Sequence, residues 1–496
     1  TDAGAISPYR SVPVSTTASG FSGQAARNRA IESAERRPFS AIMALTGSAH
    51  QCCAMMTGPK RDSNFCQRAA VRQLPLLLDA VAGDKIRIGP SLMSAMFACP
   101  QGQASDARQL AGPALAEALR ESRRHTLALV ADLSDAQWLP PYRAGINPLA
   151  WELAHLAWFG EFWVLRGPHH ADEQGLIHAA LPARIAGPDS LFDSARLAHA
   201  RRWQVALPAR AQVLDMLAAQ LESCLQALPA NDSDEALYFH RLALFHEDMH
   251  GEALIWMRAA LGFPVPSTLR LRPQAVTGRL RLLGGEARLG SPAECPGFAF
   301  DNELPGSRQH LPAFEIDAGV VTAGQFLQFV LAGGYEKAAL WPAEAQAWRD
   351  ASRSAHPSRW RRSSEGEWQQ RWFDQWIALD PDLPVIHVNA FEAEAYCQWA
   401  GRRLPHAAEW EHAAACSDGF RWGDGVWEWT ADAFAPYEGF VPGPYKDYSQ
   451  PWFGNHRELR GGSFATPRRM HDRRYRNFFT PERQDIFAGF RTASDR

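Results

Sequence analysis

The residues best placed to do chemistry are three histidines. In FHEDMHGEAL, His246 and His250 stand four apart, so on a helix of about 3.6 residues per turn they share a face one turn apart. That is how a helix offers two imidazoles to one metal ion. His240, six positions earlier, falls about 240° round the same helix and is not expected to join them. A first-row metal usually takes a third protein ligand. His155 is the one polar group on the stripe Trp151, His155, Trp158, Phe162 of NPLAWELAHLAWFGEFWVLR, and helical cores build metal sites from such inward groups. Three neutral imidazoles leave a divalent metal its full charge and open positions, which invites an anionic thiolate or selenolate together with dioxygen. Non-haem Fe(II) with a soft co-substrate answers that description, and zinc stays open. Glu247 follows His246, yet the surroundings are bundle-like and not those of an HExxH protease.

The elements that must position these groups are four helical segments, about 110–132, 147–166, 206–228 and 234–261, whose apolar residues recur at three and four. They predict a four-helix bundle over 106–265. The 166–206 connection is long enough to cross the bundle or line a site. Pro264, Pro266 and Pro273 punctuate a boundary, after which 275–496 reads as short strands, turns and Gly-rich corners. Residues 1–105 carry no sustained period. The chain starts at Thr1 without an initiator Met, and this stretch is expected to be a disordered or mis-assigned extension.

Composition narrows the classes. With 496 residues, 46% hydrophobic and 21% charged, the chain is an ordinary globular one of about three domains. Fifty-one basic against fifty-four acidic side chains give a net charge of −3, which argues against nucleic acid as a partner. No run approaches the roughly 18 apolar residues of a membrane span. Eight cysteines without a repeated spacing fit a reducing cytoplasm better than a disulfide framework. Oligomeric state is not legible.

Several segments, specific in combination, carry a family resemblance: DNELPG (301–306), AYCQWAGRRLP (395–405), GVWEWT (425–430), RGGSF (460–464) and GFR (489–491). Over about 110–496 the chain resembles a DinB-like helical bundle joined to a formylglycine-generating-enzyme (sulfatase-modifying factor, C-type-lectin-like) domain, an α+β multidomain architecture with many short strands and loops. The pairing is similar to the ergothioneine sulfoxide synthase (EgtB-like) family and its selenoneine synthase branch. These are iron- and O2-dependent oxygenases that join sulfur or selenium to hercynine, the trimethylated betaine of histidine. The resemblance implies His155, His246 and His250 as iron ligands. In PYKDYS it implies Tyr445 as proton donor and Tyr448 as a hercynine contact. A phenol, with a normal pKa near 10, stays protonated until a reduced oxygen ligand takes its proton. In YRNFF it implies Asn477 and the aromatic Phe478 beside hercynine, where aromatic walls suit a quaternary ammonium.

Departures from the family pattern point to the donor. Met249 stands where ergothioneine synthases often have a substrate-binding Gln. Phe479 stands where mycobacterial-type enzymes have an Asp that binds the amine of γ-glutamylcysteine. The carboxylate-binding arginine pair is matched only by Arg201 and Arg202, read as solvated helix charges. A donor without amine or carboxylate, such as a selenosugar, fits these losses, and the resemblance therefore implies selenoneine synthesis, with the ergothioneine-type reaction on cysteine or γ-glutamylcysteine as the alternative. True formylglycine-generating enzymes need a reactive cysteine pair late in the domain, but the last cysteine here is Cys416. A zinc-dependent DinB-type thiol transferase would have no use for the paired tyrosines. A non-catalytic metal or small-molecule binding protein is the alternative of another class.

Overall fold

The computed structural model describes residues 107–270 and 272–495; the expectation for residues 1–105 lies outside them. Four long helices come first: α1 (Gly112–Ala128), α2 (Leu149–Gly160), α3 (Arg210–Gln226) and α4 (Asp234–Leu261). Pro113 opens α1, where a missing N–H costs nothing. α4 is capped by Ser233, whose side chain accepts from Ala236 N, carries Asp234 and Glu235 in its first turn and Arg258 in its last, and ends on Gly262 at φ 69°. Those are the charges the helix dipole favours and the residue a left-handed cap requires.

α1 packs on α4, and α2 packs on both α3 and α4. Every residue of α2 is buried, so it is apolar all round and not merely along one stripe. It runs on into a π-turn over Glu161–Leu165. The long connection to α3 holds the hairpin β1 (His169–Ala171) and β2 (Ile177–Ala179). It is anchored by Glu161, whose carboxylate accepts from the backbone N–H groups of Ile185 and Ala186 at 3.0 and 2.8 Å.

Beyond Gly262 the chain forms short strands: β3 (Arg279–Leu282), β4 (Gly285–Leu289), β5 (Ser307–Leu311), β6 (Phe314–Asp317), β7 (Trp360–Arg362), β8 (Trp368–Trp372), β9 (Gln375–Ala378), β10 (Trp427–Ala433), β11 (Arg457–Arg460), β12 (Asn477–Phe479), β13 (Ala488–Gly489) and β14 (Ala493–Asp495). The sheet that matters for the site has the order β12-β11-β10-β13, antiparallel except for the β10–β13 pair. Four helices, α5 (Ala323–Leu331), α6 (Ala343–Ser352), α7 (Ala390–Trp399) and α8 (Ala407–Cys416), complete this half. One hydrophobic core runs without a break from Trp151 and Phe159 to Trp427 and Phe490.

Buried charge in this half is structural. Arg491 of GFR pairs with Glu428 of GVWEWT, Arg460 of RGGSF with Glu411, and Arg476 with Glu458 at 2.7 Å, all buried. Each arginine removes a buried carboxylate's otherwise uncompensated charge.

Candidate functional site

α2 and α4 bring His155, His246 and His250 together. One ring nitrogen from each lies within 4.8 Å of the others. The orientation of each ring is set from behind. His155 Nδ1–H donates to the Phe192 carbonyl at 2.8 Å, and His250 Nδ1–H donates to Glu152 Oε1 at 2.6 Å. Both bonds leave an Nε2 lone pair free for a ligand. His250 Nε2 and His246 Nε2 face each other at 3.2 Å, while His246 Nδ1 is buried without a hydrogen-bond partner. A divalent cation fits this set, since it would take the converging lone pairs that the protein itself leaves unsatisfied.

The surroundings disfavour the charged form of two of the imidazoles. Burial, reinforced by His250, lowers His155 to about 3; burial, with His250 and His155 alongside, takes His246 well below its ordinary value. His155 lies against Trp151, ring centroids 4.9 Å apart, and His246 stacks on Phe159 at 3.4 Å. Burial works against the charge of Glu152, yet the imidazoles of His250 and His155 and the amide of Asn147 hold its carboxyl at about 2. Asn147 Nδ2 donates to Glu152 Oε2 at 2.6 Å, and Arg202 Nη1 donates to Asn147 Oδ1 at 2.6 Å. The chain Arg202–Asn147–Glu152–His250 thus ends on the ring that faces the cation position.

This corrects one sequence expectation. Arg202 is buried, its guanidinium 3.7 Å from the Trp151 ring centroid, because the 3-10 turn His199–Trp203 packs it inward. Arg201 is the exposed member of the pair.

Tyr445, on the loop between β10 and β11, reaches back to α2 and α4. Its ring lies 6.1 Å from His246, 5.0 Å from Phe159 and 5.8 Å from Trp163. Burial pushes its phenol up from the ordinary value, with Asp447 and Asp193 adding to it and a hydrogen bond with Ser194 opposing. Tyr448 stacks on Phe300 at 4.6 Å, its ring 6.2 Å from that of Tyr445, and its Oη donates to Tyr475 Oη at 3.1 Å.

The edge strand β12 carries the remaining group. Phe478 stacks on Phe434 at 4.1 Å and meets Tyr448 edge-on at 5.8 Å. Asn477 and Phe479 alternate to the other face of the strand; Asn477 Oδ1 accepts from the Phe478 N–H at 2.9 Å. Arg483 covers Phe479, 5.1 Å from its centroid, and stands equally far from Trp256 of α4. Met249 is half-buried beside His250 and packs on the main core. His240 holds the Cys224 carbonyl instead of joining the cluster.

Sequence reasoning passed over Glu152, Asn147, Phe159 and Ser194. Glu152 left a signal, as the one acidic residue in the apolar run LAWELAHLAWFG. Among the described residues no helix is long and apolar enough to cross a membrane.

Residues 118–257 match the DinB superfamily, and residues 266–425 and 423–496 match the sulfatase-modifying factor enzyme 1-like domain. The chain is 32% identical over 426 residues to the hercynine oxygenase of Mycobacterium tuberculosis, covering 76% of this chain and 97% of that one. It is 30% identical over 448 residues to the hercynine oxygenase of Mycolicibacterium smegmatis, covering 78% and 100%. The formylglycine-generating enzyme of Streptomyces coelicolor is 30% identical over 315 residues, 48% of this chain and 94% of that one.

Proposed function

Because the chain belongs to the hercynine oxygenase family, we propose that it is an Fe(II)- and O2-dependent enzyme that joins hercynine to a selenosugar, the selenoneine-forming reaction. In this reading 106–265 is a DinB-like four-helix bundle that holds iron, and 275–496 supplies the substrate-facing tyrosines. His155, His246 and His250 hold Fe(II). When bound, the metal supplies dioxygen activation and a soft position for a selenolate. The balance is simple: the imidazole C–H and the selenol each give up a hydrogen, which leave with one oxygen atom of O2 as water, while the C–Se bond forms and the other oxygen stays on selenium.

The chain's own groups do the rest. Tyr445, held protonated by burial beside His246, gives up a proton from its Oη. Tyr448 and Asn477 face the hercynine position, the Tyr448 ring attracting its quaternary ammonium, and Phe478, on the opposite face of β12 from Asn477, backs Tyr448 edge-on. Phe479 and Met249 shape the donor side. One observation carries the choice of donor. Where the mycobacterial pattern has a carboxylate for a donor's amine, this chain has Phe479 with the Arg483 guanidinium lying on it. Arg483 is itself paired with Asp485 at 2.6 Å, so the position offers a donor's ammonium no free carboxylate, a loss that costs a neutral sugar nothing.

The test is a competition. Iron-reconstituted protein with hercynine and O2 is offered a selenosugar, cysteine and γ-glutamylcysteine together, and the products are resolved by mass spectrometry. A dominant selenium–hercynine adduct is expected. A sulfoxide from a thiol would move the assignment to the ergothioneine-type reaction. No hercynine-dependent product from any donor, together with no stoichiometric metal, would favour a binding protein, and full Fe(II) occupancy after His250→Ala would remove His250 from the ligand set.

A further inference from the structure

GVWEWT and RGGSF, which mark the family, converge on one residue of the histidine-bearing helix. Glu252 stands two residues after His250 on α4 and is 8% exposed. Its Oε1 accepts from Trp427 Nε1 at 2.7 Å and from Ser463 Oγ at 2.9 Å, and its Oε2 accepts from Thr466 Oγ1 at 2.8 Å. The turn presenting those hydroxyls is itself closed, with Ser463 N–H donating to Thr466 Oγ1 at 2.8 Å. All three donors belong to the C-terminal half, and all three are neutral.

A buried carboxylate met by neutral donors is a costly way to join two surfaces, since apolar side chains of like volume would do so at no desolvation cost. What such a group adds is direction: three bonds in three orientations fix the helix against its neighbour in a way that apolar contact does not.

The direction matters because of what Trp427 touches. Its ring lies 5.5 Å from Tyr475, whose Oη accepts from Tyr448 Oη at 3.1 Å. Tyr448 in turn is 6.2 Å from Tyr445, and Tyr445 is 6.1 Å from His246. The path leaves α4 at Glu252, crosses the tyrosine wall and returns to α4 at His246. We propose that Glu252 is a positioning residue that sets the placement of Tyr445 and Tyr448 against the three-histidine centre. Its consequence for turnover rests on the function proposed above; its geometric part does not.

The experiment uses the full chain loaded with Fe(II), comparing Glu252→Gln, which keeps an acceptor oxygen, with Glu252→Met, which keeps volume and accepts nothing. Three quantities are read: Fe(II) affinity, hydrogen–deuterium exchange of the 445–448 segment without substrates, and kcat and KM for hercynine. Glu252→Met is expected to leave Fe(II) affinity unchanged, to speed exchange at 445–448, and to lower kcat by up to about a hundredfold, the cost of misplacing a reacting group by roughly 1 Å. Glu252→Gln recovers most of both effects. Arg469→Gln serves as control, because it weakens another bond to α4, to Asp248 at 2.6 Å, that leads to neither tyrosine. It is expected to lower stability without moving the 445–448 exchange.

Wild-type exchange and kcat in Glu252→Met would overturn the proposal, and so would a parallel collapse of Fe(II) affinity, which would place the effect on the histidine scaffold. Should Glu252→Met not fold, Thr466→Val removes one of the three bonds and decides by the same readouts. If the wild-type protein makes no hercynine-dependent product, the function proposed above falls, while the exchange comparison still decides the role of Glu252.

Discussion

Replacing Glu152 by Gln tests whether the histidine cluster is built for a cation. Glu152 is 2% exposed and spends both oxygens, one on His250 Nδ1 and one on Asn147 Nδ2, each at 2.6 Å. A carboxylate behind a ligating imidazole fixes its tautomer and raises its basicity, and losing it typically weakens metal affinity by about 10–100-fold. At a free Fe(II) concentration of about 100 times the wild-type Kd, binding stabilises the wild type by about 2.7 kcal/mol. The same concentration stabilises the variant by only about 0.4–1.4 kcal/mol. The metal-dependent part of the stability should therefore shrink by about 1.3–2.3 kcal/mol. With the entropy of unfolding of roughly 390 described residues, near 0.8 kcal/mol per kelvin, that is a metal-dependent shift in Tm smaller by about 2–3 °C. Anaerobic calorimetry with and without Fe(II) measures it, and direct titration gives the affinity. If Glu152→Gln binds Fe(II) as tightly as the wild type and keeps the full shift, the carboxylate is not supporting a ligand and the reading of this cluster is wrong.

Other expected outcomes are as specific. Phe479→Asp should raise the ratio of kcat/KM for γ-glutamylcysteine over a selenosugar by about tenfold, or about 1.4 kcal/mol; an unchanged ratio removes position 479 from donor choice. Burial, with Arg270 and Arg468 alongside, lowers His471 to about 3, so below about pH 6.5 the unfolded chain takes a proton that the folded one refuses. Stability is then complete above that pH and falls as pH drops toward 3, by about 2 kcal/mol at pH 5 from this one imidazole. Urea midpoints of wild type and His471→Gln at pH 7 and pH 5 should differ accordingly, and equal pH dependence would refute the assignment. Arg108 lies buried between Glu303 at 2.6 Å and Asp472 at 3.2 Å. Arg108→Ala strands Glu303, while Asp472 keeps Arg474 at 2.6 Å, and should cost about 3–5 kcal/mol in chemical denaturation; a loss under about 1 kcal/mol would mean that water reaches the pair.

What the sequence made legible follows from the range over which each signal acts. His246 and His250 declare themselves because a helix repeats within four residues, and His155 because it interrupts an apolar stripe. The run 234–261 is bounded by Ser233 and Gly262 and was readable to its ends, whereas α1, α2 and α3 stop short of their periodic stretches because turns beyond their ends bury the same apolar residues. The approach of Tyr445 to His246 has no local signature at all. Only family resemblance singled it out, since the ring contact joins a loop after β10 to the middle of α4. Glu152 and Arg202 were missed or misread for one shared reason: a charged residue in a sequence defaults to solvent, and only the fold shows two charges buried on either side of Asn147.

The same logic separates the motifs that identify the family from the residues that would do its chemistry. Arg460 and Arg491 find partners 49 and 63 positions away, and once paired inside the core neither can be changed without leaving a carboxylate unpaired. Such residues mark a fold because the fold fails without them. The position proposed to face the donor is under no such constraint. Phe479 lies on an edge strand and is only half-buried, so aspartate or phenylalanine can stand there without disturbing the core. If Phe479 faces the donor as proposed, a scaffold whose identity is fixed by buried pairs and whose donor contact sits on a permissive sheet edge would exchange one chalcogen donor for another while its three histidines and its tyrosines stay where they are.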